Sequence, residues 1–196
     1  MIVLAITGSV GMGKTTAAKV FARLGYPVFD ADATVRDLLT SDARTIAAVR
    51  RAFPVAVRDG AVDRKVLADL VFGDAAVLER LEGILHKRVR RAEKRFLAAA
   101  KQSGARLAVL DIPLLFETGG EKRVDATVVV SAPAAVQRAR VMTRPGMTAR
   151  RFRAMRARQM PDREKRRRAT FVIDTGAGKA KMTRAIRRVI GILLPE

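Results

Sequence analysis

Residues 8–15 read Gly-Ser-Val-Gly-Met-Gly-Lys-Thr, a glycine followed by four residues and then Gly-Lys-Thr. Glycines allow positive φ angles, so a loop of this composition turns its backbone N–H groups inward around an anion. An apolar stretch, residues 2–7, precedes the loop, and a helical spacing of apolar residues begins near Lys14. The pattern therefore predicts a buried strand, a phosphate-binding loop, and a helix whose N-terminus faces the same anion.

Helices and strands alternate on either side of this loop. The helix over residues 14–24 leads to a short strand at residues 27–29, which completes a right-handed βαβ unit. Residues 32–102 carry mostly helical signals, with Asp32 and Asp74 as candidate caps. The remaining elements are a long amphipathic helix at 77–100, strands at 106–110, 126–130 and 171–173, and a last helix at 179–193. This order predicts one α/β domain with about five parallel strands and without a second core.

Composition excludes several classes of protein. The chain has 196 residues, 49% hydrophobic and 30% charged, with no cysteine and one histidine. It therefore has no disulfide scaffold, no thiolate metal site and no cysteine nucleophile. No apolar run reaches the roughly 18 residues of a membrane span, and the N-terminal stretch lacks the basic region of a signal peptide. The expectation is a cytoplasmic enzyme or binding protein.

The net charge of +20 is unusual, with 39 Lys and Arg against 19 Asp and Glu. Such a surface attracts nucleic acid, acidic lipid or phosphorylated metabolites, and charge alone does not distinguish them. Residues 138–168 carry more than half of the excess. Within them, Arg140 and Arg144 are four residues apart and share one face of a predicted helix. Such a pair can close over a triphosphate as a lid, or it can belong to a solvated helical face.

Four side chains near the predicted strand ends have candidate roles in phosphate chemistry. Lys14 is a mobile cation for the β- and γ-phosphates, and the Thr15 hydroxyl can bind Mg²⁺. Asp32 can accept a proton from an acceptor hydroxyl, hold the waters of a metal, or cap a helix that begins at Ala33. Asp111 is either an acid that organises the metal or a turn-forming residue.

Further stretches resemble the dephospho-CoA kinase family, in its order and spacing over nearly the whole chain. They are residues 6–16, Asp30-Ala31-Asp32, Leu85-His86, Pro113-Leu114-Leu115-Phe116-Glu117, Gln137 with Arg140 and Arg144, Gln159-Met160-Pro161, and Val172-Ile173-Asp174. Many families share the first of these. The combination of Asp-Ala-Asp, Pro-Leu-Leu-Phe-Glu and Gln-Met-Pro is more specific.

The resemblance implies transfer of the ATP γ-phosphate to the ribose 3′-hydroxyl of dephospho-CoA, the last step of coenzyme A synthesis, with ATP and Mg²⁺ as cofactors. It implies that Asp32, Lys14 and Arg140 are catalytic, with Asp32 as the base. The residues implied to bind ATP are Gly11, Met12, Gly13, Lys14, Thr15, Thr16, Arg140, Arg144 and Thr175. Those implied to contact the acceptor are Asp32, Arg64, Phe72, His86, Pro113, Leu114 and Glu117. Thr15 is the implied metal ligand.

The implied fold is a three-layer P-loop NTPase fold in a single kinase domain. Its core comprises residues 1–31, 104–137 and 170–196, its helical acceptor-binding region residues 32–103, and its arginine-rich lid residues 138–169. The chain departs from the family at three places. The family often has proline where Lys87 stands, Ala-Asp where Ala169-Thr170 stands, and asparagine where Thr175 stands.

Two other functions remain open at the level of sequence. One is another small-molecule kinase on the same fold, and the other is a basic nucleic-acid-binding NTPase. Neither an obligatory nucleic acid nor a membrane is expected as partner. The sequence leaves monomer and homo-oligomer open.

Overall fold

Helices and strands alternate along the chain in the computed structural model, which describes residues 1–72 and 74–195. The strands are β1 (Ile2–Thr7), β2 (Val28–Asp30), β3 (Val57–Arg58), β4 (Ala61–Val62), β5 (Leu107–Asp111), β6 (Ala126–Ser131) and β7 (Phe171–Asp174). The helices are α1 (Lys14–Arg23), α2 (Ala31–Ser41), α3 (Ala43–Ala52), α4 (Arg64–Val71), α5 (Ala75–Gln102), α6 (Ala134–Met142), α7 (Ala149–Ala157), α8 (Asp162–Arg168) and α9 (Lys179–Leu193).

The apolar stretch before the phosphate-binding loop forms the central strand of a five-stranded sheet in the order β2-β5-β1-β6-β7. β1 pairs in parallel with β5, where Ile2 faces Leu107, and with β6, where Leu4 faces Ala126. All residues of β5 and β6 are buried. Strands covered on both faces have this continuous apolar composition. The parallel sheet and its helices confirm the predicted α/β fold.

The first of two compact units comprises Met1–Phe29 and Ala99–Glu196. One apolar cluster joins its strands to α1 and α9, and its fully buried members include Leu4, Ile6, Phe21, Val128 and Ile186. Burying such a side chain contributes roughly 1.5–3 kcal/mol, so the cluster fixes α1 firmly against the strands. The position of the loop between β1 and α1 follows from that packing.

The second unit, Asp30–Ala98, has a core of its own. Its buried residues are Leu39, Val49, Phe53, Ala56, Val62, Leu67, Leu81 and Leu85. The expectation of no second core is therefore wrong. The sequence does not show this core because each helix contributes only a narrow apolar stripe, and the stripes form a cluster only when the helices pack together. The unit overlaps the predicted helical region of residues 32–103.

A β-hairpin lies within this second unit, where the sequence indicated mostly helix. β3 and β4 pair antiparallel, with Val57 opposite Val62 and Arg58 opposite Ala61. The two residues between them, Asp59 and Gly60, have φ angles of 48° and 77°. Asp-Gly is a preferred sequence for tight hairpin turns that need two positive φ angles. The strands are too short for a periodicity signal, but this dipeptide could have revealed the turn.

Aspartate side chains cap the helices of the second unit. Asp30, not Asp32, caps α2, since its Oδ1 accepts from the Ala33 amide at 2.8 Å. Asp74 accepts from the amides of Ala76 and Val77, as predicted. Within residues 1–72 and 74–195, none of the helices combines the length and apolar character that crossing a bilayer requires.

The cap of α3 gives a stability prediction. The Asp42 carboxylate accepts from the Thr45 hydroxyl and from the Thr45 amide, and the hydroxyl bond, the largest cause, lowers the pKa of Asp42 below its ordinary value. Asp42→Ala should cost about 1 kcal/mol of unfolding free energy at pH 7. Because the folded pKa is depressed, the contribution is present above the unfolded pKa and lost as pH falls through the folded one.

Urea unfolding at pH 7 and pH 3 checks this, with Asp37→Ala on the exposed surface of α2 as the control. The loss for Asp42→Ala should shrink at pH 3, and the control should lose little at either pH. An equal loss for Asp42→Ala at both pH values would contradict the role of the ionised carboxylate.

Candidate active site

The glycine-rich loop joins the end of β1 to the start of α1 and leaves the helix N-terminus open. Gly11 and Gly13 have φ angles of 79° and 86°, which residues with a Cβ rarely adopt. Gly13 is the N-cap of α1, and no described side chain hydrogen-bonds there as a cap. The first amides of α1 and the positive end of its dipole are therefore suited to bind an anion.

Close packing holds this loop against β6 and α6. A Cβ on Gly8 would lie 2.6 Å from Val130 Cγ2, and one on Gly11 would lie 2.5 Å from Val141 Cγ2. Both distances are far inside van der Waals contact, so a side chain at either position would push the loop away from its support. The glycines thus serve packing as well as backbone conformation.

Lys14 and Asp111 form an ion pair beside the loop. Lys14 is the first residue of α1, and Asp111 is the last residue of β5, with a side chain only 2% exposed. Because β1 and β5 are parallel neighbours, the loop after one strand meets the carboxyl end of the other. The contact favours Asp111 as an acid of the phosphate site. Thr15, the next residue of α1, is exposed.

Arg140, Thr175 and Met12 form a hydrogen-bonded chain that links α6, the residue after β7 and the loop. The Arg140 guanidinium donates to the Thr175 hydroxyl at 3.0 Å and to the Thr175 carbonyl at 2.7 Å. The same hydroxyl donates to the Met12 carbonyl at 2.8 Å. Three residues predicted to bind the nucleotide are thus brought together in the first unit.

Arg144 does not share a helix with Arg140, contrary to the prediction. α6 ends at Met142, Thr143 is its C-cap, and Arg144 is exposed beyond it. Pro145 disfavours helical backbone at the residue before it, which ends the helix there. The four-residue spacing therefore does not place the two arginines on one helical face.

The Val10 peptide is held by two glutamines. Gln137 Nε2 donates to the Val10 carbonyl at 2.8 Å, and Gln159 Oε1 accepts from the Val10 amide at 3.0 Å. Gln137 and Gln159 appeared in the sequence only as parts of family-like stretches, without a role. A glutamine gives no periodicity or charge signal, so the structure alone reveals the pair.

Glu117 contacts the residues that follow Gln159. Its Oε1 accepts from the Met160 amide at 2.7 Å and lies 2.8 Å from Lys165 Nζ, whose side chain is fully buried. In the same loop, Pro113 accepts from the Thr7 hydroxyl at 3.0 Å through its carbonyl. Leu114 is half-buried. The sequence missed Lys165, which looked like one more charge in a basic run.

A cavity of about 350 Å³ borders the loop and the arginine-rich segment. Its lining includes Ser9, Met12, Arg153 and Arg156. The two arginines belong to α7, so this segment contributes cations next to the loop. Their presence is compatible with a lid, which stays a prediction.

The remaining candidates belong to the second unit, and all are accessible to solvent. Asp32 is exposed in the first turn of α2. Arg64 is exposed as the first residue of α4, and Phe72, its C-cap, is 58% exposed. His86 is exposed on α5. Since Asp30 provides the cap of α2, the Asp32 carboxylate is not committed to that task.

A parallel sheet, a glycine loop entering an uncapped helix, and a lysine paired with a buried acid together define a P-loop nucleotide-binding protein. The family model of dephospho-CoA kinase matches residues 2–181. The chain belongs to the dephospho-CoA kinase family. A relative named dephospho-CoA kinase, from Rhodopseudomonas palustris, is 50% identical over 97% of this chain and 94% of its own length.

Solved structures agree with this fold. TT1252 from Thermus thermophilus superimposes with a TM-score of 0.88 at 37% identity, over 100% of this chain and 98% of that one. A dephospho-CoA kinase from Campylobacter jejuni gives a TM-score of 0.66 at 20% identity, over 99% and 98% of the two chains. The second similarity supports the fold alone.

Proposed function

We propose that the chain transfers the γ-phosphoryl group of ATP to the ribose 3′-hydroxyl of dephospho-CoA. The observation that carries the proposal is the uncapped N-terminus of α1 with Lys14 paired to the buried Asp111, in a chain of this family. This arrangement suits a transferred phosphate because positioning and charge stabilisation are most of what phosphoryl transfer requires.

In the transfer, the 3′-oxygen forms a bond to the γ-phosphorus while the bond to the β,γ-bridging oxygen breaks. The electron pair of that bond leaves with ADP. Asp32 accepts the proton of the 3′-hydroxyl, which keeps the attacking oxygen nucleophilic. Lys14 and the amides of residues 11–16 neutralise the charge on the phosphates.

Arg140 acts at the nucleotide through its two bonds to Thr175. The Thr175 hydroxyl in turn donates to the Met12 carbonyl, which connects Arg140 to the phosphate-binding loop. Thr175 provides the adenine-side contact that the family often makes with asparagine. Arg144, which is exposed after the end of α6, contacts the nucleotide from the lid in this proposal.

Mg²⁺ accompanies the nucleotide in this proposal. Magnesium prefers oxygen ligands and keeps several waters, so one or two protein oxygens suffice. The Thr15 hydroxyl and the Asp111 carboxylate are hard oxygen donors of this kind and fit the ion. No cluster of three or more His, Cys, Asp or Glu among residues 1–72 and 74–195 offers a full protein cage. When bound, the ion would offset the negative charge of the phosphates.

In this proposal the acceptor contacts are the ones that the family resemblance implies. In the second unit, Arg64 offers a cation for acceptor phosphates, Phe72 an apolar surface, and His86 a polar group. The resemblance also implies Pro113 and Leu114 as acceptor contacts, whereas Glu117 is engaged by Met160 and Lys165. The cytoplasmic location also stays a prediction.

A coupled ADP-release assay with dephospho-CoA as acceptor tests the function. ADP release should require dephospho-CoA, and mass detection should find product heavier by one phosphoryl group. Nucleoside monophosphates, gluconate and shikimate serve as comparison acceptors, and RNA at two salt concentrations is a further arm. A preference for another acceptor, or hydrolysis stimulated by RNA, would contradict the proposal.

A further inference from the structure

Residues 159–165, here the anchor segment, belong to the arginine-rich stretch but are bound to the sheet. Met160 donates its amide to Glu117, and the buried Lys165 pairs with the same carboxylate oxygen. Asp162 accepts from the Ser131 hydroxyl at the end of β6, at 2.7 Å. Detaching the segment would break this ion pair and these hydrogen bonds together.

The anchor segment reaches the phosphate-binding loop through Gln159. Its side-chain oxygen accepts a hydrogen bond from the Val10 amide, while the 97%-buried Gln137 donates one to the Val10 carbonyl. Backbone polar groups in a surface loop ordinarily bond to water. Here both are bound to protein, so the orientation of the peptide planes before Gly11 is set from outside the loop.

The carboxylate of Glu117 has little accessible surface for a ligand, since its side chain is 16% exposed. Its Oε1 is occupied by Met160 and Lys165, and its Oε2 is buried, without a hydrogen-bond partner among the described residues. A carboxylate in this state is better suited to hold protein than to recognise an acceptor.

We propose that Gln159 is a positioning residue that holds the phosphate-binding loop ready for ATP, and that Glu117 acts through it by fixing the anchor segment. This proposal rests on the proposed kinase function for its kinetic part. The proposal separates the predicted lid of residues 138–169 into two parts. The anchor segment is bound to Glu117 and Ser131, whereas the residues before it do not take part in those bonds. No contact between Gln159 and the phosphates is needed.

The test is hydrogen exchange of the Val10 amide together with ATP binding in the absence of acceptor. Gln159→Met keeps the side-chain length and removes the oxygen. We expect exchange of the Val10 amide to become at least tenfold faster and ATP binding about fivefold weaker, the scale of one lost hydrogen bond. Gln102→Met, at an exposed glutamine ending α5, is the matched control and should change neither.

Gln159→Glu retains an oxygen that accepts from Val10, so the exchange rate of that amide should stay near that of the wild type. If Gln159→Met does not fold, this variant still tests the bond, because fast exchange in a folded Gln159→Glu protein would overturn the proposal. Wild-type exchange and ATP affinity in a folded Gln159→Met protein would also overturn it.

Glu117→Gln separates positioning from acceptor binding. We expect the KM for ATP to rise several-fold with faster exchange at Val10, while the KM for dephospho-CoA changes little. A rise confined to the acceptor KM would overturn the role of Glu117. Hydrogen exchange and ATP binding are measured without an acceptor, so they do not depend on the proposed kinase reaction. If the proposed function is wrong, the wild-type protein will bind ATP but will not phosphorylate dephospho-CoA.

Discussion

We expect Asp32→Asn to lower kcat for dephospho-CoA-dependent ADP release about 10²- to 10⁴-fold, the range for loss of a general base. The amide has nearly the same shape as the carboxylate but does not accept the proton of the attacking hydroxyl. Asp32 is exposed and Asp30 is the cap of α2, so the helix should remain folded. ATP affinity, measured by calorimetry, should be unchanged.

Asp37→Asn is the matched control, since Asp37 is an exposed aspartate on the same helix. It should turn over at the wild-type rate. Normal turnover in Asp32→Asn would remove this residue from the mechanism. Equal losses in both variants would point to an effect on α2 rather than on chemistry.

The second large effect is expected for Lys14→Met. Removing one preorganised charge from the transition state of a group transfer costs about 10²- to 10³-fold in kcat. Lys14 starts α1 at the open end of the helix, where the phosphates are expected to bind. Single-turnover measurement at saturating ATP separates this loss from weaker binding.

The same substitution removes a cation from Asp111, whose side chain is 2% exposed. Some stability should therefore be lost along with activity. The double variant Lys14→Met/Asp111→Asn removes both charges, and it should recover the unfolding free energy but not kcat. Recovery of turnover in the double variant would show that Lys14 serves folding only.

The sequence predicted the central part of the fold well because local and tertiary signals agree there. Residues 2–24 contain β1, the glycine loop and α1. The spacing of their apolar residues and the positions of their glycines predict a strand, a loop and a helix in this order. The buried strands β5 and β6 were also visible as apolar runs. Each of these elements is long enough, or punctuated sharply enough, to be recognised by itself.

Other features depend on contacts between distant residues and gave no local signal. The core of the second unit forms only when Leu39, Phe53 and Leu81 meet. Lys165 became a buried partner of Glu117 although it stands within a run of charged residues. The sequence left Asp32 open as a cap or a base, because Asp30 and Asp32 are both suitable cap residues two positions apart; Asp30 is the cap.

The strand order has a consequence for biosynthesis. β1 leaves the ribosome about a hundred residues before β5, and β6 follows later still. At ~5–20 residues per second this delay is roughly 5–20 s, during which an apolar strand has no neighbour to pair with. Thr175, which supports Met12, is synthesised last of all these parts. The apolar β1 therefore depends on protection from aggregation until β5 and β6 have been synthesised.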